Sequence, residues 1–308
     1  MNRAVEIGLA FLASQQDASG FWQDWELPVG SSRMWTTAYV GWRLASCGQA
    51  AKGTLERAAD WLEANELEGG GWGYSESTGA DADSTALGIL FVHVMGRRAP
   101  ASAVRRLLSF HRDDGGFGTY GFEQSFGAWT ASQVEVTATA ALALKAAQVA
   151  PQAIERAAVF LRRRRRADGL WDSYWWTSTC YATEMTVRLL GEQARLEACS
   201  ALRRIRPLNS FEAALRSLVL CGDTGDLSRG QDSDGSWPTA PILRLTHRDL
   251  YVPQGSDDAG PCFADPQRVF TTATVLSALT VKAVAHEAPG SPRRDPCGAR
   301  VQARSRFL

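Results

Sequence analysis

Two aspartates, Asp81 and Asp83, stand at the start of an apolar, helix-like run in the segment "GADADSTALGILFV". Burial raises the pKa of a carboxyl group, and a second carboxyl nearby raises it further. Such a pair can keep one acid protonated at neutral pH, as a proton donor requires. Side chains two residues apart on a helix diverge, so the carboxyls can converge only if Asp81 lies in the preceding turn. The hydroxyls of Ser84 and Thr85 can then donate to the carboxylate that proton loss leaves behind.

The same aspartates also have a structural interpretation. Asp is a preferred N-cap because its side chain accepts a backbone N–H of the first helical turn. The helix dipole at this end favours the ionised acid, which opposes proton donation. Capping therefore stays the alternative to acid chemistry at both positions.

A third carboxyl, Glu135, lies in "QVEVTATAALAL" among residues that favour burial. A buried carboxylate is costly unless it is paired or protonated, so Glu135 needs an acid-base role, a cap or a structural hydrogen bond. The chain also has eleven tryptophans. Aromatic rings such as Trp35, Tyr74, Trp129 and Trp175 can present π faces to a cation, although packing is the commoner role of such rings.

An internal repeat predicts the elements that must position these residues. The segments "LERAADWLEANELEGGGW" and "IERAAVFLRRRRRADGLW" have equal length and carry apolar residues at i, i+3, i+4 and i+7, the spacing of one helical face. In each segment a Trp stands ten residues after the last apolar residue of the helical face. The same spacing of apolar residues is found before Trp22 and Phe117. The turn "QDSDGSW" repeats the loop before Trp237 after a degraded helix. Gly is expected to supply a positive φ in these loops, and Trp to pack back between repeats.

A second helix, small and rich in Thr and Ala, is predicted after each loop. Small residues on several faces fit a helix that is crowded on both sides, so these should be inner helices. No segment shows sustained alternation with a period of two, so the predicted fold is all-α, a closed (α/α)6 double ring over residues 1–288. Residues 289–308 lose apolar periodicity and are expected to form a disordered tail. The inner-helix segments are "WTTAYVGWRLA", "DADSTALGILFV", "QVEVTATAALALKA", "STCYATEMTVRLL", "FEAALRSLVL" and "VFTTATVLSAL".

The composition limits the possible partners. Lys plus Arg equals Asp plus Glu at 33 each, so no general attraction to nucleic acid or to an anionic membrane is predicted. No apolar run reaches the ~20 residues of a transmembrane helix, which leaves peripheral membrane contact open. Scattered cysteines and an N-terminus without a signal-peptide layout indicate a cytoplasmic protein with reduced thiols.

The motif Gln-x(3)-Gly-x-Trp, present in "QDASGFW" and "QDSDGSW", resembles the QW repeat of squalene-hopene cyclases and other class II terpene cyclases, which fold as α/α barrels. Other segments match that family in order over residues 5–282. "GGWGYSESTGADADSTA" is similar to its Gly-Gly-Trp and DxDDT motifs, and "SQVEVTATAALAL" to its EDVTAH segment. "DGLWDSYWWTSTCYAT" and "SSRMWTTAYV" are similar to its DGSW run and its Val-Trp-Asp-Thr helix. The resemblance implies the β domain, which carries the acid motif.

The resemblance implies roles for individual residues. The middle Asp of the family's DxDD motif is a general acid that protonates an alkene or epoxide and starts a carbocation cascade. This position is Asp83, with Asp81 as the first Asp and Ser84 in place of the last. A supporting acid and His of the family correspond to Glu135 and Thr139.

A substrate cavity is expected beside these acids. Trp175 falls on a family aromatic that lines the cavity, Thr179 replaces a family Tyr, and Thr36 replaces the Asp of the Val-Trp-Asp-Thr helix. The predicted lining residues are Trp35, Tyr74, Ser84, Trp129, Thr139, Trp175 and Thr179.

No metal or cofactor is predicted. Protein prenyltransferase β subunits share this barrel and bind zinc through an Asp, a Cys two residues later and a distant His. Cys180 keeps the thiol, but Ser178 and Thr271 stand at the other two positions. Mg²⁺ would be relevant only to a diphosphate substrate.

The predicted function is a protonation-initiated cyclisation, isomerisation or hydration of a hydrophobic polyprenyl or polyene substrate. Family enzymes build their cavity between the β domain and a second barrel, so a partner chain, a homo-oligomer or a shallower site must exclude water here. The polar residues 247–266 are a candidate lid over the barrel mouth.

Two other functions stay open at this point. One is a different acid-base enzyme on the same barrel, an isomerase or a carbohydrate-active enzyme, with Asp83 and Glu135 as its carboxyl pair. The other is a non-catalytic subunit that binds a hydrophobic ligand or a protein through a Trp-rich groove.

Overall fold

The computed structural model describes residues 2–222 and 225–287, which fold mainly into α-helices. The helices alternate between an inner and an outer set along the chain. The inner helices are α2 (Arg33–Leu44), α4 (Ala82–Val94), α6 (Val134–Ala146), α8 (Thr179–Leu190), α10 (Ser210–Leu220) and α12 (Val269–Glu287). The outer helices are α1 (Arg3–Gln15), α3 (Lys52–Ala64), α5 (Ala101–Ser109), α7 (Pro151–Arg163), α9 (Glu192–Arg204) and α11 (Gly225–Arg229).

The inner helices close into a ring. Each contacts the next inner helix along the chain, and α12 returns to contact α2. Each outer helix packs against at least one inner helix, with α1 lying against α12. The inner helix α4 is buried over most of its circumference, as a helix between two rings of neighbours must be. The predicted all-α (α/α)6 barrel is confirmed.

The loop tryptophans join the two rings through their indole N–H groups. Trp22, Trp72, Trp171 and Trp237 each donate this N–H to the backbone carbonyl ten residues earlier, at 2.6 to 2.8 Å. That carbonyl belongs to the last apolar residue of the outer-helix face, which explains the spacing in the sequence. Phe117 is buried at the corresponding position of its repeat but has no ring N–H.

Threonines of the inner helices form hydrogen bonds with the same loops. A Thr hydroxyl accepts the backbone N–H of each loop aromatic residue, at 2.8 to 3.3 Å. A buried N–H without a partner is costly, so these bonds stabilise the loops against the inner ring. The sequence indicated only the small size of these residues. The pairs are Trp22 with Thr37, Trp72 with Thr85, Phe117 with Thr137, Trp171 with Thr183, and Trp237 with Thr272.

Glycine is required where the loops pass a neighbouring outer helix. Gly20 and Gly169 have φ values of +114° and +87°. A Cβ atom at either position would lie 2.4 Å from a carbonyl oxygen, that of Arg57 or of Glu197 respectively. Any other residue would therefore be both strained and too close to the next helix.

Within residues 2–222 and 225–287, three short antiparallel strand pairs accompany the helices, and the sequence did not predict them. Strands of two to four residues are too short to give a periodic signal. All three pairs lie in loops that lead from an outer to an inner helix, at the end of the barrel that we call the mouth. The pairs are β1 (Glu26–Leu27) with β2 (Gly30–Ser31), β3 (Phe117–Gly118) with β4 (Ser132–Gln133), and β5 (Pro241–Arg244) with β6 (Cys262–Ala264).

In the part of the chain that the structure describes, no helix combines the length and the apolar character needed to cross a bilayer. The predicted disordered tail, residues 289–308, lies outside the described residues.

Candidate active site

The candidate acids lie in one layer at the mouth, where the inner helices begin. Neighbouring rings of this layer are close, with centroids 5.2 Å apart for Trp35 and Phe270 and 5.9 Å apart for Phe211 and Phe270. The helices α4 and α6 contribute carboxyl groups, and the other four inner helices contribute aromatic rings. We call this set the mouth layer. It consists of the second or third residue of each inner helix: Trp35, Asp83, Glu135, Tyr181, Phe211 and Phe270.

Asp83 is held by one hydrogen bond. The indole N–H of Trp35 donates to Oδ2 at 2.9 Å, whereas Oδ1 is buried without a hydrogen-bond partner. Burial raises the pKa of Asp83 to about 6, against the opposing effects of the Trp35 N–H and the nearby Thr139 hydroxyl. Because Oδ2 receives an N–H, the neutral acid would carry its proton on Oδ1.

Asp81 is the N-cap of α4. Its backbone is extended before the first helical turn, with φ −117° and ψ 164°. Oδ1 accepts the backbone N–H of Ser84 at 2.7 Å, and Oδ2 accepts the Ser84 hydroxyl at 2.8 Å. Burial raises the pKa of Asp81 to about 7, and the neighbouring charge of Asp83 contributes. Both oxygens thus hold the start of the helix, as the capping interpretation expects.

The structure corrects the predicted hydrogen bonds of two hydroxyls beside the acid. Ser84 donates to Asp81 and not to Asp83. Thr85 donates to the backbone carbonyl of Trp72 at 3.0 Å and is likewise unavailable to Asp83. Successive helical residues point about 100° apart, which turns both hydroxyls away from the Asp83 carboxyl.

Glu135 is the carboxyl of the mouth layer on α6. Its Oε1 accepts the backbone N–H groups of Tyr174 at 2.6 Å and Trp175 at 2.7 Å. Its Oε2 is buried without a hydrogen-bond partner. Burial raises the pKa of Glu135 to about 7, and the charge of Asp83 adds to the shift. Asp83 and Glu135 therefore each keep one unpartnered oxygen, and the charge of Asp83 acts on the ionisation of Glu135.

Thr139 lies one turn below Glu135 on α6. Its hydroxyl donates to the Glu135 backbone carbonyl at 2.8 Å. It is buried, and it lies near enough to Asp83 to favour the ionised form of that acid.

The aromatic side of the mouth layer is filled by stacked rings. Trp176, from the loop between α7 and α8, lies 4.2 to 5.3 Å from the rings of Tyr181, Phe211 and Phe270, with interplanar angles of 23° to 29°. Phe270 also stacks on Tyr39, one turn deeper on α2, at 3.6 Å. The Tyr181 hydroxyl is buried without a hydrogen-bond partner. The sequence placed Trp176 in the aromatic cluster "WDSYWW" but did not single out Tyr181, whose one available signal was its position near the start of a predicted inner helix.

Trp175 and Trp129 lie beside this stack in the mouth loops. Their ring centroids are 5.3 Å apart. The indole N–H of Trp175 donates to the Thr119 hydroxyl at 2.8 Å, and that of Trp129 donates to the Thr246 carbonyl at 2.7 Å. Both rings are half-buried, as expected at the edge of a cavity.

The remaining predicted positions surround Trp35 and the start of α8. The Tyr74 ring lies 6.1 Å from Trp35, and its hydroxyl donates to the Trp25 carbonyl at 3.1 Å. Thr179 is the half-buried first residue of α8. Thr36 is buried and shares a 2.7 Å hydrogen bond with the hydroxyl of Ser32.

Within the described residues, no group of three or more His, Cys, Asp or Glu side chains is placed to hold a metal ion. At the zinc-type position, Cys180 is buried, and Ser178 is the N-cap of α8 that accepts the Cys180 N–H at 3.1 Å. The Thr271 hydroxyl is buried without a hydrogen-bond partner.

Comparison with known proteins identifies relatives of the barrel. No family model matches the chain. The curated drimenyl diphosphate synthase of Streptantibioticus cattleyicolor is 33% identical over 144 residues, which are 45% of this chain and 25% of that protein. The chain therefore spans about a quarter of the length of that relative.

Solved structures match over almost the whole barrel. A protein from Actinoplanes superposes with a TM-score of 0.82 at 29% identity, covering 91% of this chain and 98% of that chain. The type II terpene cyclase MstE from Scytonema superposes with a TM-score of 0.79 at 23% identity, covering 92% of this chain and 97% of that chain. This chain has the type II terpene cyclase fold. The predicted resemblance is thus confirmed, and a single barrel accounts for nearly all of the matched MstE chain.

Proposed function

We propose that this chain is a class II terpene cyclase-like enzyme in which Asp83 protonates an alkene or epoxide of a hydrophobic polyprenyl or polyene substrate. The observation that carries the proposal is the unequal bonding of the Asp83 oxygens. Oδ2 accepts the Trp35 N–H, while Oδ1 is buried and unpartnered. Oδ1 forms no hydrogen bond within the described residues, with the Thr139 hydroxyl as the nearby polar group, and a proton held there without a hydrogen bond is favoured for transfer to a base as weak as an alkene.

Substrate entry would favour the protonated form of Asp83. With a pKa of about 6, Asp83 is mostly ionised at neutral pH when no substrate is bound. A hydrophobic chain that displaces water from the mouth layer disfavours the carboxylate further and shifts the group toward its neutral form. The acid is thereby protonated most fully when the substrate is in place.

Proton return would involve Glu135. When Asp83 gives its proton to the substrate, the new carboxylate keeps the Trp35 N–H at Oδ2. Glu135, on the adjacent inner helix, has a pKa of about 7 and an unpartnered Oε2, so it can hold the proton that restores Asp83. We therefore assign Asp83 as the acid, Glu135 as its partner and Asp81 as the cap that holds their helix start.

The aromatic side of the mouth layer would stabilise the cation that protonation creates. Trp35 both binds Asp83 and lies 5.2 Å from Phe270 and 5.9 Å from Trp176. Cation–π contacts of this kind contribute about 0.5–2 kcal/mol each. The cation then ends by losing a proton or by adding water, which gives a cyclised, isomerised or hydrated product.

Two relatives support the proposed substrate class. MstE has been solved with geranylgeranyl dihydroxybenzoate as its substrate, and the curated relative is named for drimenyl diphosphate. We propose a polyprenyl chain here, with a homo-oligomer or a partner chain completing the cavity. The proposed proton transfer needs no cofactor, and Mg²⁺ would enter only with a diphosphate group.

Incubation with polyprenyl diphosphates and alcohols of ten to thirty carbons tests this function. The wild type is expected to convert at least one of them to a new product, and Asp83→Asn to lose about 10²–10⁴-fold in rate. The matched control is Asp81→Asn, which keeps an N-cap acceptor and is expected to stay active. Failure of every substrate with the wild type, or full activity of Asp83→Asn, would contradict the proposal.

A further inference from the structure

Arg244 is a half-buried cation beside the acid layer that the chemistry above does not use. It is the last residue of β5, in the mouth loop that precedes α12. Its Nη2 donates to the backbone carbonyls of Ser173 at 3.0 Å and Tyr174 at 2.9 Å, and its Nε to the Tyr174 carbonyl at 3.3 Å. Its hydrogen-bond acceptors in the described part of the chain are thus carbonyls and a Thr hydroxyl rather than carboxylates.

The same two peptide units hold Glu135 from their other side. The peptide that joins Ser173 to Tyr174 directs its carbonyl to Arg244 and its N–H to Oε1 of Glu135. The peptide that joins Tyr174 to Trp175 does the same. Two peptide dipoles, each of about 3.5 D, therefore lie aligned between a cation and a carboxyl group. This alignment stabilises both charges at once.

The hydrogen bonds of Arg244 to carbonyls do not by themselves require a charged donor, whereas its buried positive charge requires a counter-charge. A neutral donor satisfies a carbonyl, as the Thr246 hydroxyl does at the Tyr174 carbonyl, at 2.7 Å. Burying a guanidinium without a carboxylate partner is costly. Burial lowers the pKa of Arg244, and the charge of Glu135 acts against that shift. Glu135, reached through two peptides, is therefore the counter-charge of Arg244.

We propose that Arg244 is a positioning residue for the acid pair, which orients the two peptides that hold Oε1 of Glu135 and so sets the ionisation of that carboxyl. The contacts stand on their own, and only the kinetic consequence rests on the proposed function. Arg244 touches neither the acid Asp83 nor the other side chains of the mouth layer in any described hydrogen bond. Its influence would pass through the loop at Ser173 and Tyr174.

The groups that act on the ionisation of Glu135 are few. The Asp83 carboxyl faces it from α4, the Tyr174 hydroxyl from the loop before α8, and Arg244 from β5. On α8, the Tyr181 hydroxyl is influenced by Asp83. Removal of the Arg244 charge should raise the pKa of Glu135 further, by about 1 unit. The folded state then holds the proton of Glu135 more tightly. Stability, which falls as the pH rises through the pKa of Glu135, should therefore continue to fall up to a higher pH.

The test compares Arg244→Gln and Arg244→Lys with the wild type, using thermal unfolding and the rate of product formation across pH. Arg244→Gln is expected to move the alkaline limb of both curves upward by about 1 pH unit. Arg244→Lys keeps the charge but not the fork, so it should keep the wild-type pH dependence of stability and lose rate. In a Glu135→Gln background, Arg244→Gln should move neither curve.

Arg112 supplies the matched control. It is buried and donates to the carbonyls of Thr130 and Tyr120, but not to the loop that holds Glu135. Arg112→Gln should lower stability without shifting the pH dependence.

The proposal is overturned if Arg244→Gln behaves like Arg112→Gln, if the shift persists in the Glu135→Gln background, or if Arg244→Lys keeps the full wild-type rate. The unfolding curves need no substrate, so they decide the question even if the cyclase function fails. If Arg244→Gln does not fold, the proposal is tested with Arg244→Lys and with the Glu135→Gln background. A changed pH dependence of stability in Arg244→Lys would then contradict the proposal.

Discussion

Two pairs of buried carboxyl groups lie at the starts of inner helices, and they differ in how their oxygens are bonded. One pair is Asp24, in the loop before α2, and Asp265, just before α12, and both accept N–H groups at the start of α12. The other is Asp83 and Glu135, on α4 and α6. Burial raises the pKa in both pairs, to about 8 for Asp24 and about 6 for Asp83. A raised pKa therefore does not separate the pairs.

Hydrogen bonding does separate them. Every oxygen of Asp24 and Asp265 accepts a hydrogen bond, at 2.9 to 3.0 Å. Asp83 and Glu135 each keep one buried oxygen without a partner. The first pair holds the start of a helix. Each acid of the second pair instead has one buried oxygen that forms no hydrogen bond. The donors to the first pair are the backbone N–H groups of Gln267, Phe270 and Thr271 and the hydroxyl of Thr239.

The largest expected difference between the pairs is in activity. Asp83→Ala should lower product formation by about 10²–10⁴-fold, or about 3–5 kcal/mol of transition-state stabilisation. Asp24→Ala should leave the rate per folded molecule close to that of the wild type. Product formation normalised to the folded fraction measures both. Equal losses in the two variants would remove the distinction.

Stability should show the reverse order. Asp24→Ala leaves the N–H groups of Gln267 and Phe270 without their acceptor and should cost about 2–4 kcal/mol of unfolding free energy. Asp83→Ala leaves the single N–H of Trp35 without its acceptor and should cost less, about 1–2 kcal/mol beyond its lost packing. Chemical denaturation measures both values, and a larger cost at Asp83 would contradict this comparison.

The pH dependence of stability should reflect both pairs. The raised pKa values, about 8 for Asp24 and about 7 for Glu135, mean that the folded chain binds protons that the unfolded chain releases. Between about pH 4 and 8, stability is then greatest at the acidic end and falls as the pH rises, by about 1.4 kcal/mol per pH unit for each titrating group. Asp24→Asn should flatten the part of the curve above pH 7. An unchanged slope there would show that Asp24 is not the group that titrates.

The smallest effect is expected at the cap of α4. Asp81→Ala should lower the unfolding free energy by about 1 kcal/mol because Ser84 loses its partner, whereas Asp81→Asn should retain most of the stability. Thermal unfolding compares the two variants. A large loss of rate in Asp81→Asn, with stability retained, would place Asp81 in the chemistry rather than in the cap.

The helical frame could be predicted because local spacing encodes it. The ten-residue interval between Leu62 and Trp72 is the distance over which an indole N–H reaches the carbonyl of the outer helix. The position of Asp83 at the start of an inner helix could be predicted for the same reason, since the repeat register places it there.

The bonding of the acids could not be predicted, because it depends on segments far apart in the chain. Glu135 accepts the N–H of Tyr174, 39 residues later, and Arg244 donates to the carbonyl of the same residue from a further 70 residues away. Similarly, the resemblance pointed to Trp175, but the turn of the loop places Trp176 rather than Trp175 against the rings of Tyr181, Phe211 and Phe270. The Ser84 hydroxyl was placed wrongly because its direction depends on where α4 begins.

Solvent deuterium labelling tests the central claim most directly, because the proton on Asp83 exchanges with water and is then transferred to carbon. Product formed in D₂O by the wild type should carry one deuterium that does not wash out, at the carbon that Asp83 protonates, and Asp83→Asn should form no labelled product. Unlabelled product from the wild type, or labelled product from Asp83→Asn at the wild-type rate, would contradict the assignment of Asp83 as the acid.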